Sequence, residues 1–198
     1  MGSHKMKPVN NSRSVSSHAG FSLIELLVVL FIFGVLLAIA APSFIGQRPR
    51  QDLKRLSREI VSDMQFAKVN ALKTSSTWVI QFNTTTSEYK ILRDDGVDDT
   101  WNTADDSVFK TVSLSNYPGI IFNIPTGYGE ISSEPNPSEG LLDGISFADN
   151  RIFFKSNGTS VGGTVYIRNQ NNDAFAVGST SAAGGIKTWF NYGSGWRE

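Results

Sequence analysis

The sequence predicts an α+β protein. A long N-terminal helix, membrane-spanning in its first half and amphipathic in its second, packs on a C-terminal antiparallel β-sheet or small β-sandwich. Three observations carry that prediction. An uninterrupted apolar run, Leu26–Ala41, follows a polar and basic stretch. A helix-period apolar stripe succeeds it over residues 51–73. From residue 76 onward the pattern changes to short β-branched and aromatic runs separated by Gly, Asn, Pro and Ser. The resulting organisation is a polar leader at 1–20, a membrane-spanning helix at 21–48, an amphipathic helix at 49–75 and a β-rich domain at 76–198.

Composition narrows the functional classes. The chain has 198 residues, room for one compact domain plus an appendage. Apolar residues make up 40% and charged residues 18%, enough apolar material to exclude a wholly disordered chain. With no Cys, a disulfide framework, a thiol nucleophile and any thiolate metal site are excluded. The two His, His4 and His18, both precede residue 20, which excludes a His-based triad or multi-His metal site in the folded body. A formal net charge of zero gives no general reason to expect nucleic-acid binding. It hides an asymmetry: without Lys5, Lys7 and Arg13 of the leader, the remainder carries 15 bases against 18 acids.

Residues 1–20 are rich in Ser and Asn and have no apolar periodicity. Met6 offers a second start, so residues 1–5 carry no argument. From Phe21 to Ala41 there are 21 residues with one charge. At about 1.5 Å per residue such a helix covers roughly 30 Å, the thickness of a bilayer core. The run has no polar stripe, so it needs apolar surroundings on every side. It is too long for the apolar region of an ordinary secretory signal, and the small residue that invites cleavage, Gly20, lies before it rather than after. That order suits removal of the polar leader with the helix retained.

Glu25 is the anomaly in this helix. A carboxylate in an apolar span costs a few kcal/mol, and the next charge in the chain is Arg48. Cutting after Gly20 creates a cationic amine on Phe21, four residues from Glu25, in the same chain or a neighbour. The alternative is that Glu25 reaches back to the membrane surface.

These residues resemble a family. Gly20-Phe21-Ser-Leu-Ile-Glu25-Leu-Leu-Val-Val, with Pro42 after the run, is similar to the processing site of type IV prepilins and of the related pseudopilins of type II secretion. The resemblance implies cleavage after Gly20 by a membrane aspartyl peptidase, methylation of the new amine on Phe21, and a role for Glu25 in docking the subunit into a helical filament. Residues 21–48 would then form the filament core as well as the span. Charge counting alone does not orient the helix, because Arg48, Arg50, Lys54, Arg55 and Arg58 crowd the end opposite the leader. The resemblance places the leader inside.

In the second helical half Leu53, Leu56, Ile60, Met64, Ala67 and Ala71 recur at spacings of 3, 4, 4, 3 and 4. This stripe predicts packing on a sheet, with Arg55, Arg58, Asp63 and Lys73 outward. Pro42 and Pro49 should bend or interrupt the helix between its halves. Strands are predicted at Thr77–Phe82 and Glu88–Leu92, a hairpin around Asn83–Ser87. Further strands are predicted at Ser107–Leu114, Gly119–Ile124, Arg151–Lys155, Thr164–Arg168, Ala174–Gly178 and Lys187–Tyr192. The Asn-x-Thr triplets at Asn83 and Asn157 read as turn chemistry. The segment from Ile152 through Gly158 to Val165, and the register around Asp63-Met-Gln-Phe66-Ala67, resemble the GspH/FimT subgroup of pilin-like proteins, where they are structural.

Two further segments are candidate sites. Asp94, Asp95, Asp98, Asp99, Asp105 and Asp106 put six carboxylates into 13 residues without a base. Ca²⁺ takes 6–8 oxygen ligands from such loops, but the spacing does not match the EF-hand rule, and a solvated surface loop is the other reading. At the C-terminus Lys187, Trp196 and Arg197 offer an aromatic beside bases, the pattern that stacks on and attracts a nucleotide. The alternative is a terminal strand whose Trp caps the core, and the acidic balance of the chain argues against DNA. The connection Thr126–Gly140, with Pro118, Pro125, Pro135 and Pro137 in and around it, is long and irregular.

The expectation is therefore a structural subunit, not an enzyme, with Ca²⁺ the one cofactor left open. The resemblance implies a minor pseudopilin of type II secretion or, alternatively, a FimT/FimU-like minor pilin serving pilus initiation, adhesion or DNA uptake. Expected partners are other pilin or pseudopilin subunits, the prepilin peptidase and the bacterial inner membrane, with a periplasmic C-terminal domain and no small-molecule substrate. A membrane-anchored periplasmic domain without a filament role is the third reading.

Overall fold

The structure, a computed structural model, describes residues 20–45, 48–93, 106–131, 143–179 and 184–198, with side chains left undescribed from 39 to 45. The chain divides into two compact units, Met1–Phe44 and Ile45–Glu198. The first contains helix α1, Leu23–Ile45, whose last residue falls just beyond the boundary. Pro42 lies within α1, and Pro49 is the second residue of helix α2, Arg48–Thr74, where a missing N–H costs nothing. Helix α1 is described as far as Ile45 and α2 from Arg48, and the expected bend or interruption between the prolines involves residues 46–47, which lie outside the described residues.

In the second unit α2 is followed by strands β1 (Trp78–Asn83), β2 (Glu88–Arg93), β3 (Ser107–Ser113), β4 (Ile121–Phe122), β5 (Arg151–Phe154), β6 (Gly163–Arg168), β7 (Ala174–Ser179) and β8 (Ile186–Asn191). They form two antiparallel four-stranded sheets, ordered β3-β2-β1-β5 and β4-β6-β7-β8. The sandwich expectation is the one realised. Gly119–Ile124 yields only the two-residue β4: the Asn123 N–H still donates to the Tyr166 carbonyl of β6 at 3.1 Å, but the next N–H, that of Ile124, is taken by Asn123 Oδ1 at 2.8 Å. The segment from Ile152 to Val165 is strand–turn–strand, yet β5 and β6 lie in different sheets. The turn is held by Gly158, in the left-handed region at φ +82°, and by Asn157 Oδ1 accepting from the N–H and hydroxyl of Thr159. Asn83 does the same for the β1–β2 hairpin, accepting from the N–H groups of Thr85 and Thr86 at 3.0 Å.

The six-residue stripe of α2 is fully buried. It packs on Trp78, Ile80, Phe82, Tyr89 and Ile91 of one sheet and Val165, Ile167 and Val177 of the other, in one contiguous core. Helix packing therefore follows from period alone, as an amphipathic stripe dictates. A satellite cluster of Ile131, Tyr166, Ala176 and Trp189 lies on the opposite face of the second sheet. One expectation on α2 fails: Asp63 is buried, not outward. The reason is a set of partners on sheet one.

Candidate functional site

Gly20, Phe21 and Ser22 precede α1, and the Ser22 carbonyl accepts from the N–H groups of Glu25 (3.0 Å) and Leu26 (3.1 Å), so Glu25 sits in the first helical turn. Phe21 is 82% exposed. The apolar side chains Leu23–Val29, Leu30–Phe33 and Val35–Leu37 are exposed as well, on every side of the helix. A helix greasy all round, with one carboxylate beside its N-terminus, requires an apolar partner over its whole circumference. The side chains described in α1 run from Leu23 to Ala38, about 24 Å at ~1.5 Å per residue. Accordingly, no helix among the described residues is long and apolar enough to cross a membrane.

The acidic residues Asp94, Asp95, Asp98, Asp99 and Asp105 lie outside the described residues, and Asp106 directly precedes β3. Among the described residues, no three His, Asp or Glu come together as a metal site. The C-terminal candidates gather at the outer edge of β8. Lys187 pairs with Glu198 at 2.7 Å. Arg197 exchanges two backbone hydrogen bonds with Phe190, at 2.8 and 2.9 Å, adding one rung to the sheet. Trp196 stands edge-on to Tyr166, ring centroids 5.4 Å apart, and its Nε1–H donates to the Gly129 carbonyl at 2.8 Å. The indole thus covers the satellite cluster.

Two polar networks fix α2 to the sheets, and local sequence pattern shows neither. In the first, Lys110 Nζ of β3 donates to both carboxylate oxygens of Asp63 (2.9 and 2.8 Å) and to Glu59 Oε1 (2.9 Å). The Tyr89 hydroxyl donates to Asp63 Oδ2 at 2.6 Å, and the Tyr117 hydroxyl donates to Glu59 Oε2. Burial raises the Glu59 pKa, but hydrogen bonds from Tyr117 and Lys110 outweigh it and hold the carboxyl below the usual range. Burial likewise opposes the charge on Lys110, yet its bonds to Asp63 and Glu59 win and raise its pKa. Tyr117 is pushed up to about 12, first by burial and then by its bond to Glu59; Tyr89 moves in the same direction, by burial and its bond to Asp63.

The second network starts at Arg50, whose guanidinium forks onto Asp173 (2.8 and 3.2 Å) and lies 4.3 Å from the centroid of the Tyr192 ring. That fork raises the Arg50 pKa. The partner Asp173 lies 123 residues away in the chain, beyond the reach of any local pattern.

These features define a class: a protein with an apolar helix carrying a processing signature, followed by an amphipathic helix laid on antiparallel sheets, the pilin-like arrangement. The sequence matches the model of the prokaryotic N-terminal methylation motif at residues 15–41 and that of type II transport protein GspH at residues 56–184. The chain belongs to the GspH family. Among solved structures, it is similar to the minor pseudopilin EpsH of the type 2 secretion system of Vibrio cholerae, in two structures. One has 12% identity and a TM-score of 0.43, covering 69% of this chain and 95% of that one. The other has 15% identity and a TM-score of 0.47, covering 70% and 95%. It is also similar to the type IV minor pilin FimU of Pseudomonas aeruginosa, at 15% identity and a TM-score of 0.49, covering 75% and 95%. No curated protein matches the chain.

Proposed function

We propose that the chain is a minor pseudopilin: a structural subunit of a type II secretion filament, inserted in the inner membrane and then drawn into the filament through its N-terminal helix. The observation that carries this reading is α1, apolar and exposed on every side, with Glu25 in its first turn and Gly20-Phe21 just before it. The family supplies the coarser half, a pilin-like subunit that assembles with others after trimming by a peptidase. On this reading residues 21–41 rest in the bilayer until the leader is removed after Gly20. The amine of Phe21, methylated, then neutralises Glu25 of a neighbour as the helices bundle. Exchange of lipid for other helices costs little, since both are apolar, and the charge pair selects the register. The β domain remains on the periplasmic side, and no catalytic role is proposed.

Mass spectrometry of the mature N-terminus tests this. A first residue of Phe21, and loss of assembly in Glu25→Ala, are expected; an untrimmed chain that still assembles rejects it. Loss of a secreted substrate on deletion, without loss of pili or DNA uptake, separates type II secretion from a minor pilin. Calcium at Asp94–Asp106 is a further proposal: excess calcium should raise Tm, and Asp98→Ala/Asp99→Ala should abolish the rise. An absence of any shift removes it.

A further inference from the structure

Between α2 and the helix-facing side of β7 and β8 lies an open cleft of about 540 Å³, within the range that encloses a small ligand or a short stretch of peptide. Phe175, Phe190 and Tyr192 form its aromatic floor, with ring centroids 5.2–6.3 Å apart. Lys54 and Arg58, one turn apart on α2, stand on its wall, and among the described residues its lining includes no carboxylate. Lys54 Nζ is 5.9 Å from the Tyr192 centroid, and Arg58 is exposed. The occupant such a surface selects is a polypeptide segment with carboxylates on either side of an aromatic ring.

The chain carries a strongly acidic segment of this kind. In residues 94–106, Asp94, Asp95, Asp98 and Asp99 precede Trp101, and Asp105 and Asp106 follow it. We propose that the cleft is the docking site for segment 94–106 of a second copy of this chain. The segment springs from Arg93 and returns at Ser107, which are paired with each other, and Arg93 also pairs with Trp78, just past the C-terminal end of α2. The cleft flanks residues 54–65 instead, on the flank of α2 away from Lys110 of β3. The residues that flank the donor segment and the strands that floor the acceptor cleft thus belong to different sheets. A contact of this kind is heterologous: each copy gives one half and receives the other, so copies add head to tail without closing a pair. The inference rests on the subunit reading and names a contact by which such subunits would meet.

The test uses the detergent-solubilised full chain in EGTA at low salt, titrated against a fluorescein-labelled peptide of residues 94–106 and read by anisotropy. Saturable binding is expected, weakening with salt and weakening about tenfold or more in Arg58→Glu. A peptide with Asp98→Lys and Asp99→Lys should recover binding to Arg58→Glu, and a Trp101→Ala peptide should bind less tightly than the natural one. No binding at low salt, or binding indifferent to Arg58→Glu, overturns the proposal; so does cross-linking of the segment to the cleft of its own chain only. Trimming after Gly20 and Glu25-dependent assembly are followed separately. If both persist while the peptide fails to bind, this inference falls and the subunit reading stands. If neither occurs, the subunit reading falls whatever the peptide does.

Discussion

Replacing Lys110 by Met keeps the aliphatic stem and removes the ammonium that joins Asp63 to Glu59. The Asp63 side chain is 9% exposed, so the variant leaves a nearly buried carboxylate with the Tyr89 hydroxyl as its remaining partner among the bonds described. Breaking a fully buried pair in this way costs about 3–5 kcal/mol. Lys110 is 34% exposed and Glu59 28%, so water recovers part of that loss. The expected destabilisation is about 2 kcal/mol, measured by urea unfolding of the solubilised chain with the fluorescence of buried Trp78 as the probe. Asp63→Asn removes the charge but keeps an acceptor for Tyr89. In the double variant the Lys110→Met loss should shrink, giving a coupling of about 1–2 kcal/mol. Strict additivity, or a Lys110→Met effect below about 0.5 kcal/mol, would refute the claim that Lys110 is what makes a buried Asp63 tolerable.

Other consequences are measurable in the same way. The Glu59 pKa is depressed in the fold, so its contribution is present above the unfolded carboxylate pKa and is lost as pH falls through the folded one. Lys110 and Tyr117 are raised, Tyr117 to about 12, so their contributions hold below pH ~10 and decline above it. Stability against pH should therefore show a plateau with a fall on both sides, and Tyr117→Phe should soften the alkaline fall. Asp173→Asn should lower stability by about 1 kcal/mol, because the Arg50 side chain is 49% exposed and screened; no change in Tm would show that the fork is idle. Gly144→Ala should cost more than about 2 kcal/mol: at φ +77° a Cβ would lie 2.5 Å from the Asn123 backbone nitrogen. A variant as stable as the parent would mean that this turn is free to move.

Local pattern made much of the fold legible. The α2 stripe follows from a period of about 3.6, and seven of the eight strands from short β-branched and aromatic runs bounded by Gly, Asn, Pro and Ser, both of them local signals. The eighth, β4, is curtailed by an Asn side chain that the run of apolar residues conceals. Asp63 was misread for a physical reason: a charge on an amphipathic helix belongs outside unless a partner meets it, and Lys110 is 47 residues away. The same holds for Arg50 and Asp173, separated by 123 residues. The division of β5 and β6 between two sheets depends on where the chain crosses the core, which no dipeptide encodes. The N-terminal motif was legible because it is a contiguous stretch: Gly20, Phe21 and Glu25 fall within residues 15–41, which match the N-terminal methylation motif.

The two fastenings of α2 lie at successive heights and on different walls: Arg50 grips the second sheet near the helix start, and Glu59 with Asp63 grips the first sheet about two and a half to three and a half turns later. A pull entering at Arg48 is therefore not borne by one weak seam that opens like a zip. It meets a stacked guanidinium fork, then an embedded ammonium, with fully buried Leu53 and Leu56 between them. Shearing all of these at once is harder than peeling any one of them.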